Sequence, residues 1–273
     1  MMMFHMKLGS LLPSIIDIAK EAGEAILAIY QQGQFEHQLK ADLTPVTTAD
    51  MQAHNILVQR LTKLTPDIPI LSEEGADIPL EVRRAWQAYW LVDPLDGTQE
   101  FISGTGDFTT VIALVVNQQP VMGVVYCPVK DTLFYAIKSH GAWKQTGKNR
   151  PISLAVKQHA ANDKSLAITI GYRQNQTKTC SRFSKEWQPH LTLLGSASLK
   201  SCLVAEGAAD CYLRIGPTGE WDTAAVQCIV EEAGGAIRSL KWHSLTYNQR
   251  RSLENPNFIV IGDKQLPWQN ILD

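Results

Sequence analysis

Residues 91–98 read Leu91-Val92-Asp93-Pro94-Leu95-Asp96-Gly97-Thr98. They close an apolar, β-favouring run that begins at Ala88, and they end it in two carboxylates flanking a proline turn. Pro94 fixes its own φ and offers no backbone donor, so neither a regular helix nor a central strand continues easily past it. The expectation is a rigid turn at the carboxyl end of a strand, carrying both Asp93 and Asp96. Two hard anionic oxygens placed there suit Mg²⁺, which takes few protein carboxylates and keeps positions open for water and phosphate. Repulsion within the pair also asks for a cation. The stretch points to phosphate chemistry carried out with metal.

Upstream, residues 14–31 place Ile15, Ile18, Ala22, Ile26 and Ile29 on one face of an amphipathic helix that starts after Pro13. Phe35 to Lys40 reads as a short strand and Thr44 to Thr48 as a loop, with Thr48 the N-cap of a helix from Asp50 to Leu64. Ile68 to Leu71 is a strand running into Ser72-Glu73-Glu74-Gly75. Downstream, 109–116, 121–127 and 133–138 read as strands, the first two joined by a hairpin signal at Gln118-Gln119-Pro120. Gly141 to Pro151 is turn-rich and marks a join between two halves, 1–147 and 148–273, of one compact unit. The first half carries most of the candidate metal ligands, the second Asp222 and the substrate-binding candidates. In the second half strands at 167–172, 191–194, 209–215 and 258–261 alternate with helices at 177–187, 199–206 and 222–233, the pattern of a layered α/β arrangement.

At 273 residues the chain can bury a substantial core, and 45% hydrophobic with 19% charged residues is ordinary for a globular enzyme. A formal charge of −2 gives no general attraction for nucleic acid or an anionic membrane, so phosphate must be held by local cations or metal. Cys127, Cys180, Cys202, Cys211 and Cys228 are odd in number and form no CxxC pair. They read as reduced thiols, not as a disulfide framework or a zinc site. No run approaches the roughly 18–20 apolar residues of a membrane span. The expected location is the cytoplasm, or a peripheral place on the inner face of the membrane.

Asp50, Glu73, Asp93, Asp96 and Asp222 each follow an apolar strand or open a helix. Taken singly, Asp50 reads as a first-turn acid favouring the helix dipole, Glu73 as half of a solvated pair with Glu74, and Asp222 as an N-cap. Only Asp93 with Asp96 speaks for function unaided. Taken together, such acids converging in one cleft would build a site for two or three Mg²⁺, in which two ions roughly 3.5–4 Å apart clamp a phosphoryl group.

Leu71-Ser-Glu-Glu74, Asp93-Pro-Leu-Asp-Gly-Thr98 and Trp221-Asp-Thr-Ala-Ala225, in this order and at these separations, resemble the three signatures of the inositol monophosphatase superfamily. The likeness runs from Thr44-Pro-Val-Thr-Thr-Ala-Asp50 to the C-terminal strand. It implies an α+β fold, the layered αβαβα sandwich shared with fructose-1,6-bisphosphatase, and a Mg²⁺-dependent, Li⁺-sensitive phosphatase. Within the superfamily the wording is most similar to bacterial 3'(2'),5'-bisphosphate nucleotidases of the CysQ type. The stretches that carry this are Leu64 to Glu74, Tyr89 to Thr98, Gly123 to Pro128, Leu199 to Gly207 and Ile215 to Thr218. The resemblance implies that Glu73, Asp93 and the Leu95 carbonyl hold one part of the metal site, and that Asp96 and Asp222 complete it. It further implies that Asp50 bonds Thr98, whose hydroxyl orients a water. Glu73, Asp50 and Thr98 are thus the catalytic candidates. Gln99 departs from the pattern, since these nucleotidases usually carry Lys there.

For the substrate, Gly195-Ser196-Ala197-Ser198 precedes a helix whose start offers backbone N–H groups to an anion. Lys200 and Arg214 are cations for a second phosphate, and Glu73, Leu95, Asp96, Gly97, Thr98 and Asp222 surround the first. Inositol-directed relatives tend to carry an acid where Arg214 stands, so the swap favours a nucleotide bisphosphate, with a solvated strand-end cation as the alternative. The expected partner is that small molecule alone, acted on by a monomer or homodimer. The expected reaction is removal of the 3'-phosphate of adenosine 3',5'-bisphosphate, and of 3'-phosphoadenylyl sulfate, in sulfate assimilation. Three alternatives stay open: an inositol or other sugar-phosphate phosphatase, a haloacid-dehalogenase-type phosphatase, and a non-catalytic metal- or nucleotide-binding regulator. The second spaces its two aspartates by one residue where this chain has two, and the third has no need of the Asp50–Thr98 pair to orient water.

Overall fold

The computed structural model describes residues 2–33, 35–39, 45–160 and 162–272, with 2–7 and 45 as backbone alone. Lys40 and Thr44, expected at a strand end and in a loop, lie outside these residues. Helix α1 spans Met2–Gln32 and so runs through Pro13, where the sequence predicts a start after it. Pro13 sits on the exposed face, and Leu8 and Ile15 on either side are both buried in one apolar cluster. Tertiary burial of the two flanks outweighs the missing hydrogen bond of the proline.

A hairpin of β1 (His37–Leu39) and β2 (Pro45–Thr47) leads into α2 (Thr48–Leu64). The N-cap is Thr47 and not Thr48, because the Thr-x-x-Asp spacing closes a capping box. Thr47 Oγ1 accepts from Ala49 N–H, and Asp50 Oδ2 accepts from Thr47 N–H (2.7 Å).

Next come β3 (Ile70–Ser72), a 3₁₀ turn (Glu73–Gly75), α3 (Leu80–Arg83), β4 (Ala88–Asp96), α4 (Thr98–Ile102), β5 (Thr109–Val116), β6 (Gln119–Cys127), β7 (Thr132–Ile137), β8 (Ala142–Thr146) and β9 (Ile152–Ser153). Strands β3 to β9 form one sheet in numerical order, antiparallel except for β3 with β4. Strand β8 falls in the stretch expected to be turns. Its pairing with β7, Tyr135 opposite Trp143, supplies the backbone partners that its polar sequence does not advertise.

The second half contributes β10 (Ser165–Ile170), α5 (Gln176–Cys180), β11 (Gln188–Leu193), α6 (Ala197–Ala205), β12 (Cys211–Arg214), α7 (Trp221–Glu232), β13 (Ala236–Ser239), β14 (Phe258–Ile261) and α8 (Trp268–Ile271). Its sheet has the order β11-β10-β12-β14-β13, with β10 parallel to both neighbours and β14 antiparallel to both. Helix α5 stops at Cys180, short of the predicted 187, because the following residues leave the helix to bury Phe183 and Trp187. Strand β13 was not anticipated.

Strand alternation sorts the core into layers. Trp90, Val92, Ile112, Leu114 and Val124 face α1 and α2, while Leu91, Val111, Ala113 and Val125 face α6 and α7. In the second sheet Tyr212 and Val260 face α6 and α7, and Cys211, Leu213 and Ile259 face Phe183, Trp187 and Trp268. The result is the expected αβαβα sandwich.

The strand β4 does not end in a turn at Asp93, as Pro94 suggests, but continues to Asp96 through a bulge. Asp93 pairs with Val111 and Asp96 with Thr109, so two residues of β4 stand against Thr110 alone. In a regular strand Asp93 and Asp96 would face opposite layers. The extra residue returns Asp96 to the face of Asp93, toward α7, while the Leu95 side chain drops into the α1/α2 core. Pro94 costs no ladder bond, because β3 stops pairing at Val92.

Helix α7 lies so close to β6 that a Cβ on Gly123 would come within 2.2 Å of the Ala225 carbonyl oxygen. Gly123→Ala is therefore expected to destabilise the fold by about 1–3 kcal/mol or to prevent folding. Urea unfolding of the purified variant checks this.

Candidate metal centre and active site

Four carboxylates meet where β4 ends. Asp93 and Asp96 come from the bulge, Glu73 from the 3₁₀ turn after β3, and Asp222 from the first turn of α7. Oxygens of Asp93, Asp96 and Asp222 lie within 4.8 Å of one another. Burial raises the Asp93 carboxyl well above the usual carboxylate range, and the charges of Glu73, Asp96 and Asp222 push it the same way. Asp222 is raised too, first by burial and then by Asp96 and Glu73. Backbone donors fix both groups: Leu95 N–H to Asp93 Oδ1 (2.9 Å) and Gly219 N–H to Asp222 Oδ2 (2.6 Å). Such a group is costly unless a cation shares it.

Asp96 settles the use of the α6 N-terminus. Ser196 Oγ (2.5 Å) and Ser198 N–H (2.7 Å) donate to its Oδ2, and Ala197 N–H to its Oδ1 (3.2 Å). Gly195 N–H donates to Asp107 Oδ2 (3.2 Å). This corrects the expectation that Gly195, Ser196 and Ser198 offer free donors to a substrate anion, since carboxylates of the chain already take them. Ser196 still lines the cavity, whereas Gly195 and Ser198 lie behind it.

Gly97 turns the chain out of β4 with φ 102°, a region open to glycine, and a Cβ there would come within 2.9 Å of the Asp107 carbonyl oxygen. Thr98 follows at the start of α4. Its hydroxyl lies 3.1 Å from Asp50 Oδ1 and 3.2 Å from the Leu95 carbonyl oxygen. Asp50 is thus both the capping acid of α2 and the partner of Thr98, because its two oxygens serve separately.

A cavity of about 580 Å³ opens over the carboxylates. Glu73, Asp93, Leu95, Asp96, Gly97, Thr98, Ser196, Lys200, Arg214 and Asp222 line it, and Asp50 lies beneath. Lys200 is buried, with Nζ donating to the carbonyls of Ser196 (2.6 Å) and Leu194 (3.3 Å). Burial lowers it to about 8. Arg214 donates through Nη2 to the Pro217 carbonyl (2.6 Å). Thr218, the last residue of the Ile215 to Thr218 stretch, reaches the cavity, and so do the loop 171–174, Glu100 and Arg251, which are not among the residues singled out in the sequence. No local motif distinguishes them, and only the packing of the two sheets brings them to the site. Gln99 lines the cavity as well.

Residues 8–266 match the profile of the Inositol monophosphatase family. The 3'(2'),5'-bisphosphate nucleotidase CysQ of Aggregatibacter actinomycetemcomitans is 44% identical over 261 residues, covering 96% of each chain. The protein of that name from Escherichia coli (strain K12) is 40% identical over 252 residues, covering 92% of this chain and 99% of its own. The crystal structure of CysQ from Bacteroides thetaiotaomicron superposes with a TM-score of 0.80 at 38% identity, covering 94% of this chain and 98% of that one. With the carboxylate cluster, the layered fold and these likenesses in agreement, the chain belongs to the inositol monophosphatase family.

Proposed function

We propose that this chain is a Mg²⁺-dependent 3'(2'),5'-bisphosphate nucleotidase that converts adenosine 3',5'-bisphosphate to AMP and phosphate. The same site would act on 3'-phosphoadenylyl sulfate, which links the enzyme to sulfate assimilation in the cytoplasm. The observation that carries this reading is the buried carboxylate group at the floor of a cavity that also holds Lys200 and Arg214. Relatives named for the nucleotidase match nearly the whole chain, which favours it over an inositol phosphatase.

The donor set suits a hard divalent cation, with oxygens only and an excess of negative charge. Glu73, Asp93, Asp96, Asp222 and the Leu95 carbonyl would hold two or three Mg²⁺. When bound, such ions acidify water and neutralise charge on the transferring oxygens. The chain does the positioning. Asp50 is held by Thr47, and the Thr98 hydroxyl that donates to Asp50 keeps its lone pairs for a water on the cavity side. A water held there would attack the phosphorus on the side opposite the 3'-oxygen, losing a proton as the new P–O bond forms while the bond from phosphorus to the 3'-oxygen breaks and that oxygen takes a proton from solvent; no covalent intermediate on the protein is needed. Lys200 spends two N–H groups on carbonyls and keeps one for the cavity. With Arg214 it would balance the phosphate that stays. Among the described residues, Arg214 Nε and Thr218 Oγ1 are buried without a hydrogen-bond partner on this wall, which suits a polar ligand there.

A panel assay with Mg²⁺ tests the function: adenosine 3',5'-bisphosphate should be turned over far faster than inositol 1-phosphate. The reverse order would favour a sugar-phosphate phosphatase, and no turnover of either would favour the regulator. For the metal, Asp93→Asn should abolish hydrolysis and the rise in melting temperature on adding Mg²⁺. Because the folded-state pKa of Asp93 is raised, its contribution to stability is present in acid and lost as pH climbs through that raised value. In EDTA at pH 7 the Asn variant should accordingly melt higher than the parent, as calorimetry would show.

A lysine lowered to about 8 loses its charge above that pH. If Lys200 holds the second phosphate, kcat/KM for the bisphosphate should fall as pH rises through about 8. Lys200→Gln should remove that limb of the profile, along with part of the rate.

A further inference from the structure

Of the aromatic residues that line the cavity, Tyr212 is fully buried. Trp221 is packed over Gly219, where a Cβ would come within 2.1 Å of its ring. Tyr172 is different, at 44% exposed. It lies on the loop between β10 and α5, a contribution of the second sheet to the cavity wall.

An exposed tyrosine on a loop is ordinarily free to turn, and this one is anchored. Its hydroxyl donates to Asp107 Oδ2 at 2.6 Å. Asp107 is buried and is itself held by Lys130 Nζ (3.0 Å) and Gly195 N–H (3.2 Å). The bond to Asp107 pushes the Tyr172 hydroxyl up to about 12, so it stays a donor. The neighbours are tied as well. Arg173 Nη2 donates to Glu100 Oε1 (2.8 Å), Gly171 N–H to Gln174 Oε1 (2.7 Å), and Gln174 Nε2 to the Leu213 carbonyl (3.2 Å). A ring with an open flank, fixed at its tip and base, can hold a planar partner without first being ordered.

We propose that Tyr172 is the platform against which the purine base of the nucleotide stacks, with Asp107 as the residue that positions the ring. The proposal rests on the nucleotidase reading and deepens it by naming what separates a nucleotide from a sugar phosphate. Stacking of one base on an aromatic side chain is sequence-tolerant and strong enough to decide that choice.

The test compares AMP with ribose 5-phosphate, which lacks the base, by calorimetry on the intact protein in Mg²⁺. Tyr172→Ala should weaken AMP about tenfold or more and leave ribose 5-phosphate unchanged. In turnover of adenosine 3',5'-bisphosphate the loss should fall in KM and not in kcat. Tyr172→Phe keeps the ring but frees it, and Asp107→Asn weakens the anchor; both should lie between parent and Ala for AMP alone. Equal losses for the two ligands, or an Ala variant that binds AMP like the parent, would overturn the platform. A parent that hydrolyses inositol 1-phosphate but not the bisphosphate would instead overturn the nucleotidase reading, and the platform with it.

Discussion

Carboxylates repel, and the architecture around Asp93 exists in spite of that repulsion. Burial and the charges of its neighbours all favour the neutral form of this side chain, yet backbone N–H groups and a serine hydroxyl hold Asp93, Asp96 and Asp222 in fixed positions. Each layer contributes one constraint. The first sheet supplies the bulge, α7 supplies Asp222, and α6 turns its N-terminus onto Asp96. The close approach of Gly123 to α7 sets the distance between the first two. Remove any of these and the acids would separate into water, where they have no reason to meet.

The substrate side is built on the opposite principle. Lys200 and Arg214 bring positive charge to a cavity whose floor is negative, and both are restrained by carbonyls of their own neighbourhood. On the proposed reading, a ligand with two phosphates would meet bound Mg²⁺ at the carboxylate floor and these cations at its other end.

Much of this was legible in the residues. Asp93 and Asp96 stand out by charge at a strand end, and the family resemblance joins Asp50, Glu73, Thr98 and Asp222 to them. The strand leading to Asp93 follows from its continuous apolar, β-favouring run. Other features were not legible for physical reasons. Pro94 argues against a strand unless its neighbour is known to have stopped pairing, which is a fact about β3. Free N–H groups at Ser196 to Ser198 look ready for a substrate until Asp96 is seen to arrive from a hundred residues earlier in the chain. Pro13 looks like a helix boundary until Leu8 and Ile15 are found in one core. Tyr172 and Asp107 gain meaning only from each other, across two sheets. In every case the missing information was long-range.

The bulge makes the motif a matter of counting. Sidedness along a strand is a parity, and the one additional residue between Asp93 and Asp96 reverses it. Exchanging Pro94 or Leu95 for another residue leaves that parity intact. Straightening the bulge with both residues still present would turn Asp96 away from Asp222 into the apolar side of the sheet, whereas deleting one of them would leave a regular i, i+2 pair that still shares a face. The arithmetic of the segment, more than the chemistry of its middle residues, is what the metal site inherits.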